Sequence, residues 1–288
     1  LYLRMSPSSK DCPNLMAIRR KSLDSYAKLK NIAARDDSVL ADKIAQLIIW
    51  FSLKKKDLSE EDKSRLDSSL VEVYKRYGIT FDNSTIVDEN GNFRTMPILS
   101  DWYEILYQEQ DTRHLAVVLS RYVTGSAAAM ADRNDIELNN KYIVLDLSGM
   151  PDDMIADGTF WATSIAYDLI MNCEDELSAL LADELWSLVG ATANPQAAGF
   201  VLEMVKTIRG LGGIAVTSTQ GMQDLFSLEG GSYGKGILDS SRIKLVMQME
   251  EQEARLIQDK LNLSEDEVRQ ITRFRRGEGL LCIGYNHV

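Results

Sequence analysis

"LSALLADELWSL", residues Leu177 to Leu188, decides how this chain is read: a short apolar run through Leu180, Leu181 and Ala182 stops at two adjacent acids, Asp183 and Glu184, before Leu185 and Trp186. Six residues are too few for a typical helix and enough for a buried strand, so the acids mark the place where the sheet ends. Four other runs share this texture: "YIVLDL" (Tyr142 to Leu147), "GIAVTST" (Gly213 to Thr219), "IKLVMQM" (Ile243 to Met249) and "GLLCIG" (Gly279 to Gly284). Helices are expected between them, at about Asp153 to Asn172, Pro195 to Arg209, Glu250 to Leu261 and Glu265 to Phe274. Near-continuous apolar strands alternating with helices indicate an α/β fold, a mostly parallel sheet covered on both faces. In the helix from Pro195, Asn194 can cap, Pro195 suits the first turn, Phe200, Val201, Met204, Val205 and Ile208 form one stripe, and Gly210 is placed to end it.

Upstream, from Asn14 to Tyr122, the period is helical. "LMAIRRKSLDSYAKLKNIAA", "SVLADKIAQLIIWFSLKKK" and "LSEEDKSRLDSSLVEVYKRYG" repeat apolar residues three and four apart. In the third, Ser59 is the expected N-cap, Glu60, Glu61 and Asp62 complement the helix dipole, and Gly78 is the expected left-handed stop. A turn-rich connection follows, then Ser100 and Asp101 open a further helix and "RHLAVVLSRYV" another. The expected organisation is residues 1–13 as part of a core that begins upstream, 14–130 as an all-α insertion, and 131–288 as the α/β core. Because Leu1 is not an initiator Met and the last residues stop in or just after an apolar run, the chain reads as a piece of a longer protein.

Composition narrows the function classes. With 288 residues, 45% hydrophobic and 26% charged, the chain can bury one large core or two smaller ones. A formal charge of −11 disfavours a protein that coats nucleic acid over its whole surface. No apolar run approaches the roughly 18 residues needed to span a bilayer. Cys12, Cys173 and Cys282 are scattered and form no CxxC pair, which speaks against a disulfide framework or a structural zinc site and fits a reducing cytosol. His114 and His287 have no ligand-like spacing. "IRRK" (Ile18 to Lys21) and "KKK" (Lys54 to Lys56) read as solvated helix faces, and Trp50, Phe51, Trp161 and Trp186 as core or interface aromatics.

In an open α/β sheet, residues just past the carboxyl ends of strands are those shown to a ligand. An apolar strand ending in Asp-Glu is the Walker B pattern of P-loop ATPases, in which the Asp orders Mg2+, directly or through water, and the Glu polarises the attacking water. The same residues also read as first-turn acids of a following helix. "IAVTSTQ" ends in Ser218, Thr219 and Gln220, and the Gln amide could hold a phosphate or the attacking water, or be an ordinary strand exit.

Together, "LSALLADELWSLVG", "FVLEMVKTIRGLGGIAVTSTQGMQDLF", "ILDSSRIKLVMQM" and "LNLSEDEVRQITRFRRGEGLLCIGYNHV" resemble the carboxy-terminal ATPase domain of the VirB-four/TraC-type ATPases of type IV secretion, and "TMPILSDWYEIL" and "YIVLDLSGM" extend the resemblance upstream over most of the chain. The resemblance implies a RecA-like P-loop NTPase core with an all-α insertion, ATP and Mg2+ as cofactors, and a hexamer or hexamer-capable assembly. It also implies a cytoplasmic motor docked on inner-membrane components of a secretion machine, with the coupling protein as a further partner and direct DNA binding left open. Asp183 would then bind Mg2+, Glu184 act as catalytic carboxylate, and Gln220 sense the γ-phosphate. Arg209, before "GLGG", would act on nucleotide, from a neighbouring subunit or its own, and Arg275 and Arg276 of "FRRGEG" would lie near the same interface; all three also read as solvated or salt-bridged helix ends. A DNA-pumping relative of the HerA, FtsK or coupling-protein kind and a silent ATPase-like scaffold are the other readings.

One departure is large. The sequence contains no G-x-x-x-x-G-K-[ST] phosphate cradle, and "GGSYGKGIL" (Gly230 to Leu238) has the wrong glycine spacing and Gly236 where Ser or Thr is needed, so it reads as a flexible Gly-rich loop. The cradle is expected upstream of residue 1, and residues 1–288 alone are expected to bind nucleotide weakly.

Overall fold

The computed structural model describes residues 1–18, 38–131, 136–171, 177–183, 185–190, 193–219, 221–284 and 286–288, without the side chains of Trp186 and Asp224. Glu184, Gln220, Cys173 and most of the first expected helix thus lie outside the described residues. Two compact units are formed: Leu1–Leu180 with Gly210–Ile214, and Leu181–Arg209 with Ala215–Val288.

In the first unit, β1 (Tyr2–Arg4) pairs in parallel with β2 (Val144–Asp146), Leu3 opposite Leu145. Helices α1 (Val39–Ser52), α2 (Glu60–Arg76), α3 (Leu99–Gln108), α4 (Arg113–Val123) and α5 (Ile155–Met171) make up most of the rest. The punctuation of α2 is as the sequence indicates. Ser59 Oγ accepts the Asp62 N–H at 3.0 Å, Asp62 accepts the Ser59 N–H in return, and Gly78 turns the chain with φ of 74°. Helix α3 begins earlier than expected, because Asp101 is not its opener but its third residue, reaching back to the Ile98 N–H at 2.8 Å while also accepting the Tyr77 hydroxyl at 2.8 Å.

The seam between α1 and α5 joins polar and aromatic pairs in this unit's core. Lys43 Nζ lies 2.5 Å from Asp168, and Gln46 donates to the same carboxylate at 2.9 Å. Trp50 meets Trp161 edge-on with ring centroids 5.9 Å apart, and Lys54 Nζ sits 2.7 Å from Asp157. Positions rising along α1 therefore meet positions falling along α5, so the two helices run antiparallel. Trp50, Phe51 and Trp161 are fully buried, as their apolar contexts indicate.

Lys54 corrects the sequence reading. It is not on a solvated face: its ammonium lies 3.7 Å over the Trp50 ring, beside Asp157, which also accepts the buried Tyr122 hydroxyl. Burial lowers Lys54 from 10.5 to about 8, with Asp157 opposing the shift and Arg121 adding slightly to it. Between about pH 8 and 10.5 the unfolded chain then binds more protons than the folded one, so this group makes stability rise with pH across that window. Below it the folded state carries the full cost of the buried charge, roughly 3 kcal/mol. Tyr122, pushed up by burial and by Asp157, acts in the opposite sense only above its ordinary range. Lys54→Met is expected to remove this rise in denaturant-measured stability from pH 8 to 10, and an unchanged slope would contradict the assignment.

Strands β3 (Ser178–Ala182) and β4 (Gly213–Thr217) pair with each other and contribute residues to both units. The Ser178 N–H donates to the Gly212 carbonyl and, farther along both strands, the Ser218 N–H to the Ala182 carbonyl, so the pair is parallel. The second unit adds α6 (Pro195–Thr207), α7 (Met222–Leu225), α8 (Ser232–Ser240), β5 (Ile243–Val246), α9 (Glu251–Leu261), α10 (Glu265–Ile271), β6 (Leu280–Ile283) and β7 (Asn286–His287). Asn194 caps α6 through the Gln196 N–H at 2.8 Å. The chain does not stop at Gly210. A 3-10 turn carries it through Leu211, and Gly212, with φ of 74°, turns it into β4.

The strands form three small sheets among the described residues, rather than one large parallel sheet. β5 and β6 are antiparallel, with Ile243 opposite Ile283 and Val246 opposite Leu280. The cause is the connection: two helices, α9 and α10, joined across left-handed Asn262, return the chain to the end it left, whereas a single crossover helix would have made the strands parallel. Ala254, Ile257, Leu261, Val268 and Ile271 from these helices cover Val246, Leu280 and Cys282. The other faces are open. Leu181 is 72% exposed, Ile214 58%, Val216 50% and Ile243 64%, so the expectation of a sheet covered on both faces does not hold for the described residues.

Candidate functional site

Asp183 is the first residue beyond β3 and Ser218 the first beyond β4. Because the strands are parallel, both residues leave the sheet at the same end, the end that displays ligand-facing groups in open α/β folds. The period of two along each strand sets their faces: Ala179, Leu181 and Asp183 are exposed on β3, and Ile214, Val216 and Ser218 on β4, with half-buried residues between them. The Ser218 hydroxyl donates to Asp183 Oδ1, and the Ser218 N–H donates to the Ala182 carbonyl at 3.1 Å. Thr219 Oγ1 donates to the Gly221 carbonyl at 3.3 Å, which tightens the exit of β4. The expected partners Glu184 and Gln220 adjoin this pair in sequence and lie outside the described residues.

The arginines are placed elsewhere. Arg209 is exposed in the turn that leads into β4, at the end of that strand opposite to Ser218. Five strand residues span about 17 Å, so the structure does not bring Arg209 to the Asp183 of its own chain. Arg275 and Arg276 occupy a tight turn before β6. The Arg275 carbonyl accepts the Glu278 N–H at 2.9 Å, the Glu278 carboxylate accepts the Arg275 N–H at 2.8 Å, and Gly277 has φ of 90°. A type II turn needs glycine at that position, and it leaves both arginine side chains exposed at the tip.

The glycine-rich stretch that imitates a phosphate loop is not a loop. Ser232 to Ser240 is helix α8, and its glycines serve close packing: a Cβ at Gly234 would lie 2.0 Å from the Leu225 carbonyl oxygen, and one at Gly236 would lie 2.8 Å from Leu202 of α6. Lys235 points to solvent.

Two groupings escape sequence reasoning. An open cleft of about 470 Å3 is lined by Asp266, Arg269, Gln270, Arg273, Phe274 and Glu278, mixing both charges with an aromatic ring. His287, isolated in sequence, lies opposite Cys282 on β6 and places Nδ1 2.7 Å from Glu267. Burial, and then Glu267, raises the Cys282 thiol, so this grouping lacks the thiolate a nucleophile requires.

The hard carboxylate oxygens of Asp183 fit Mg2+. No group of three or more His, Cys, Asp or Glu side chains gathers to hold a metal among the described residues, and an ion that takes most of its ligands from phosphate and water needs none. The phosphate cradle itself is not encoded in these residues.

The chain has a mixed α/β fold with a helical region, and its paired parallel strands β3 and β4 present an acid and a hydroxyl at their carboxyl ends. No family model and no curated protein matches the chain. Among solved structures it is similar to VirB4 of Thermoanaerobacter pseudethanolicus, with a TM-score of 0.82 and 26% identity, over 100% of this chain and 75% of that one. This likeness along the whole length supports a VirB4-type ATPase carboxy-terminal domain.

Proposed function

We propose that residues 1–288 are the carboxy-terminal portion of an ATP-hydrolysing motor of type IV secretion or conjugative transfer, built on a RecA-like core with residues 14–130 as its all-α insertion. The observation that carries this reading is the Asp183–Ser218 pair at the exits of two parallel strands, in a chain similar throughout to VirB4. Bound Mg2+·ATP supplies the electrophilic phosphoryl group and neutralises its charge. Asp183 would hold the metal, Glu184 would orient the attacking water and take its proton, and Gln220 would contact the phosphate. Arg209, remote from its own Asp183, serves the nucleotide of a neighbouring copy, which fits a ring-forming assembly such as a hexamer. Arg275 and Arg276, displayed on a glycine turn, act at the same interface.

The phosphate cradle comes from polypeptide outside these residues. The open apolar faces at Leu181, Ile214, Val216 and Ile243 support this, since strands of a RecA-like core are covered on both sides. Among the described residues no helix is long and apolar enough to cross a membrane. Docking on inner-membrane components from the cytoplasmic side, with the coupling protein as a further partner, follows from the VirB4-type reading, and the net charge of −11 disfavours binding DNA over the whole surface. The test is ATP turnover by the complete reading frame, expected to require Mg2+ and to cease when the metal is chelated. A folded preparation whose turnover ignores chelation, or that has none, overturns the proposal.

A further inference from the structure

Ser218 has no chemical role in this reading, yet it makes two bonds to the β3 exit. Its N–H fixes the Ala182 carbonyl, pinning β4 to β3 at the level where both chains leave the sheet, and its hydroxyl reaches Asp183 Oδ1 on the next residue. Both side chains continue the exposed face of Leu181 and Val216, which is why a serine of short reach meets the carboxylate across neighbouring strands. A hydrogen bond to one carboxylate oxygen restricts the rotation of an exposed aspartate side chain. A carboxylate carries about four lone-pair sites over its two oxygens, and the hydrogen bond from Ser218 occupies one of them on Oδ1.

We propose that Ser218 is the positioning residue of the metal site: its hydroxyl sets the orientation in which Asp183 meets the hydration shell of Mg2+. The inference rests on the ATPase reading above. Groups that orient a metal-facing ligand are typically worth 10–100-fold in affinity or activity. Serine is the smallest side chain that can do this here. Threonine keeps the hydroxyl and suits a strand exit, whereas alanine loses it.

The experiment uses the complete reading frame and compares the native protein with Ser218→Ala, Ser218→Thr and Asp183→Asn, each checked for an unchanged melting temperature. Two quantities are read: the Mg2+ concentration for half-maximal turnover, and Mn2+ affinity in the presence of ADP, followed by electron paramagnetic resonance. Ser218→Ala is expected to need roughly tenfold more Mg2+ and to bind Mn2+ about tenfold more weakly, with turnover at saturating Mg2+ within about threefold of native. Ser218→Thr is expected to restore both. If Ser218→Ala keeps the native metal dependence while Asp183→Asn is inactive, the role of Ser218 is overturned and the ATPase reading stands. Equal impairment of the alanine and threonine variants, or a loss of turnover with metal affinity unchanged, also overturns it. An Asp183→Asn protein that hydrolyses ATP and binds Mn2+ like the native one removes the metal site itself, and the role of Ser218 with it.

Discussion

Glu184→Gln lowers ATP turnover by the complete reading frame about 100-fold or more, the scale expected when a positioned general base is lost. The substitution keeps size and hydrogen-bonding shape but removes the negative charge that, in the proposed ATPase, would orient water and accept its proton. Glu184 follows directly on Asp183, whose place beyond β3 and beside Ser218 is fixed by the parallel pairing of β3 with β4. Folding is expected to be unaffected, because the substitution keeps the size of the side chain and the preceding Asp183 is exposed beyond the end of β3. Turnover within a few-fold of native would show that the two acids are only the polar end of a strand.

The second large effect concerns stability. Asp157→Ala is expected to destabilise the protein by about 3–5 kcal/mol, measured by denaturant unfolding, because it leaves the buried Lys54 without its carboxylate. The Asp157 carboxylate is nearly buried, stands 2.7 Å from Lys54, and accepts the Tyr122 hydroxyl inside a cluster of Trp50 and Tyr122 rings 5.2 Å apart. The triple variant Lys54→Met, Asp157→Leu, Tyr122→Phe replaces all three polar groups with apolar side chains of similar shape. It is expected to be near native stability or above it, as buried ion pairs replaced by apolar groups often are. A single Asp157→Ala change that costs under about 1 kcal/mol would show that water reaches the pair.

Local chemistry made some of this legible in the sequence. Ser59 with Asp62, Asn194 with Pro195, and Gly78 act within a few residues of themselves, so the ends of α2 and the start of α6 could be read directly. The apolar runs before Asp183 and through Val216 gave the strands, and hence the end of the sheet where Asp183 stands. What depends on distant partners was not legible. Lys54 looks solvated in a run of three lysines because nothing nearby in sequence announces Asp157. The antiparallel pairing of β5 with β6 depends on how two helices fold back, which periodicity does not encode. The glycines of α8 read as a loop because the neighbours that demand them, Leu225 and Leu202, belong to other elements. Gly212 rather than Gly210 makes the turn into β4, since a 3-10 extension of α6 absorbs the first glycine. Ser218 looked like part of a polar strand exit, and only the pairing of β3 with β4 sets its hydroxyl on Asp183.

The measurement that tests the central claim most directly is the affinity of the Glu184→Gln protein for Mg2+·ATP, taken on the complete reading frame alongside its turnover. If the strand-end acids perform chemistry on bound nucleotide, the variant retains ATP unhydrolysed with native affinity. Loss of binding in step with turnover, or hydrolysis at the native rate, would contradict the assignment of an ATPase site to this end of the sheet.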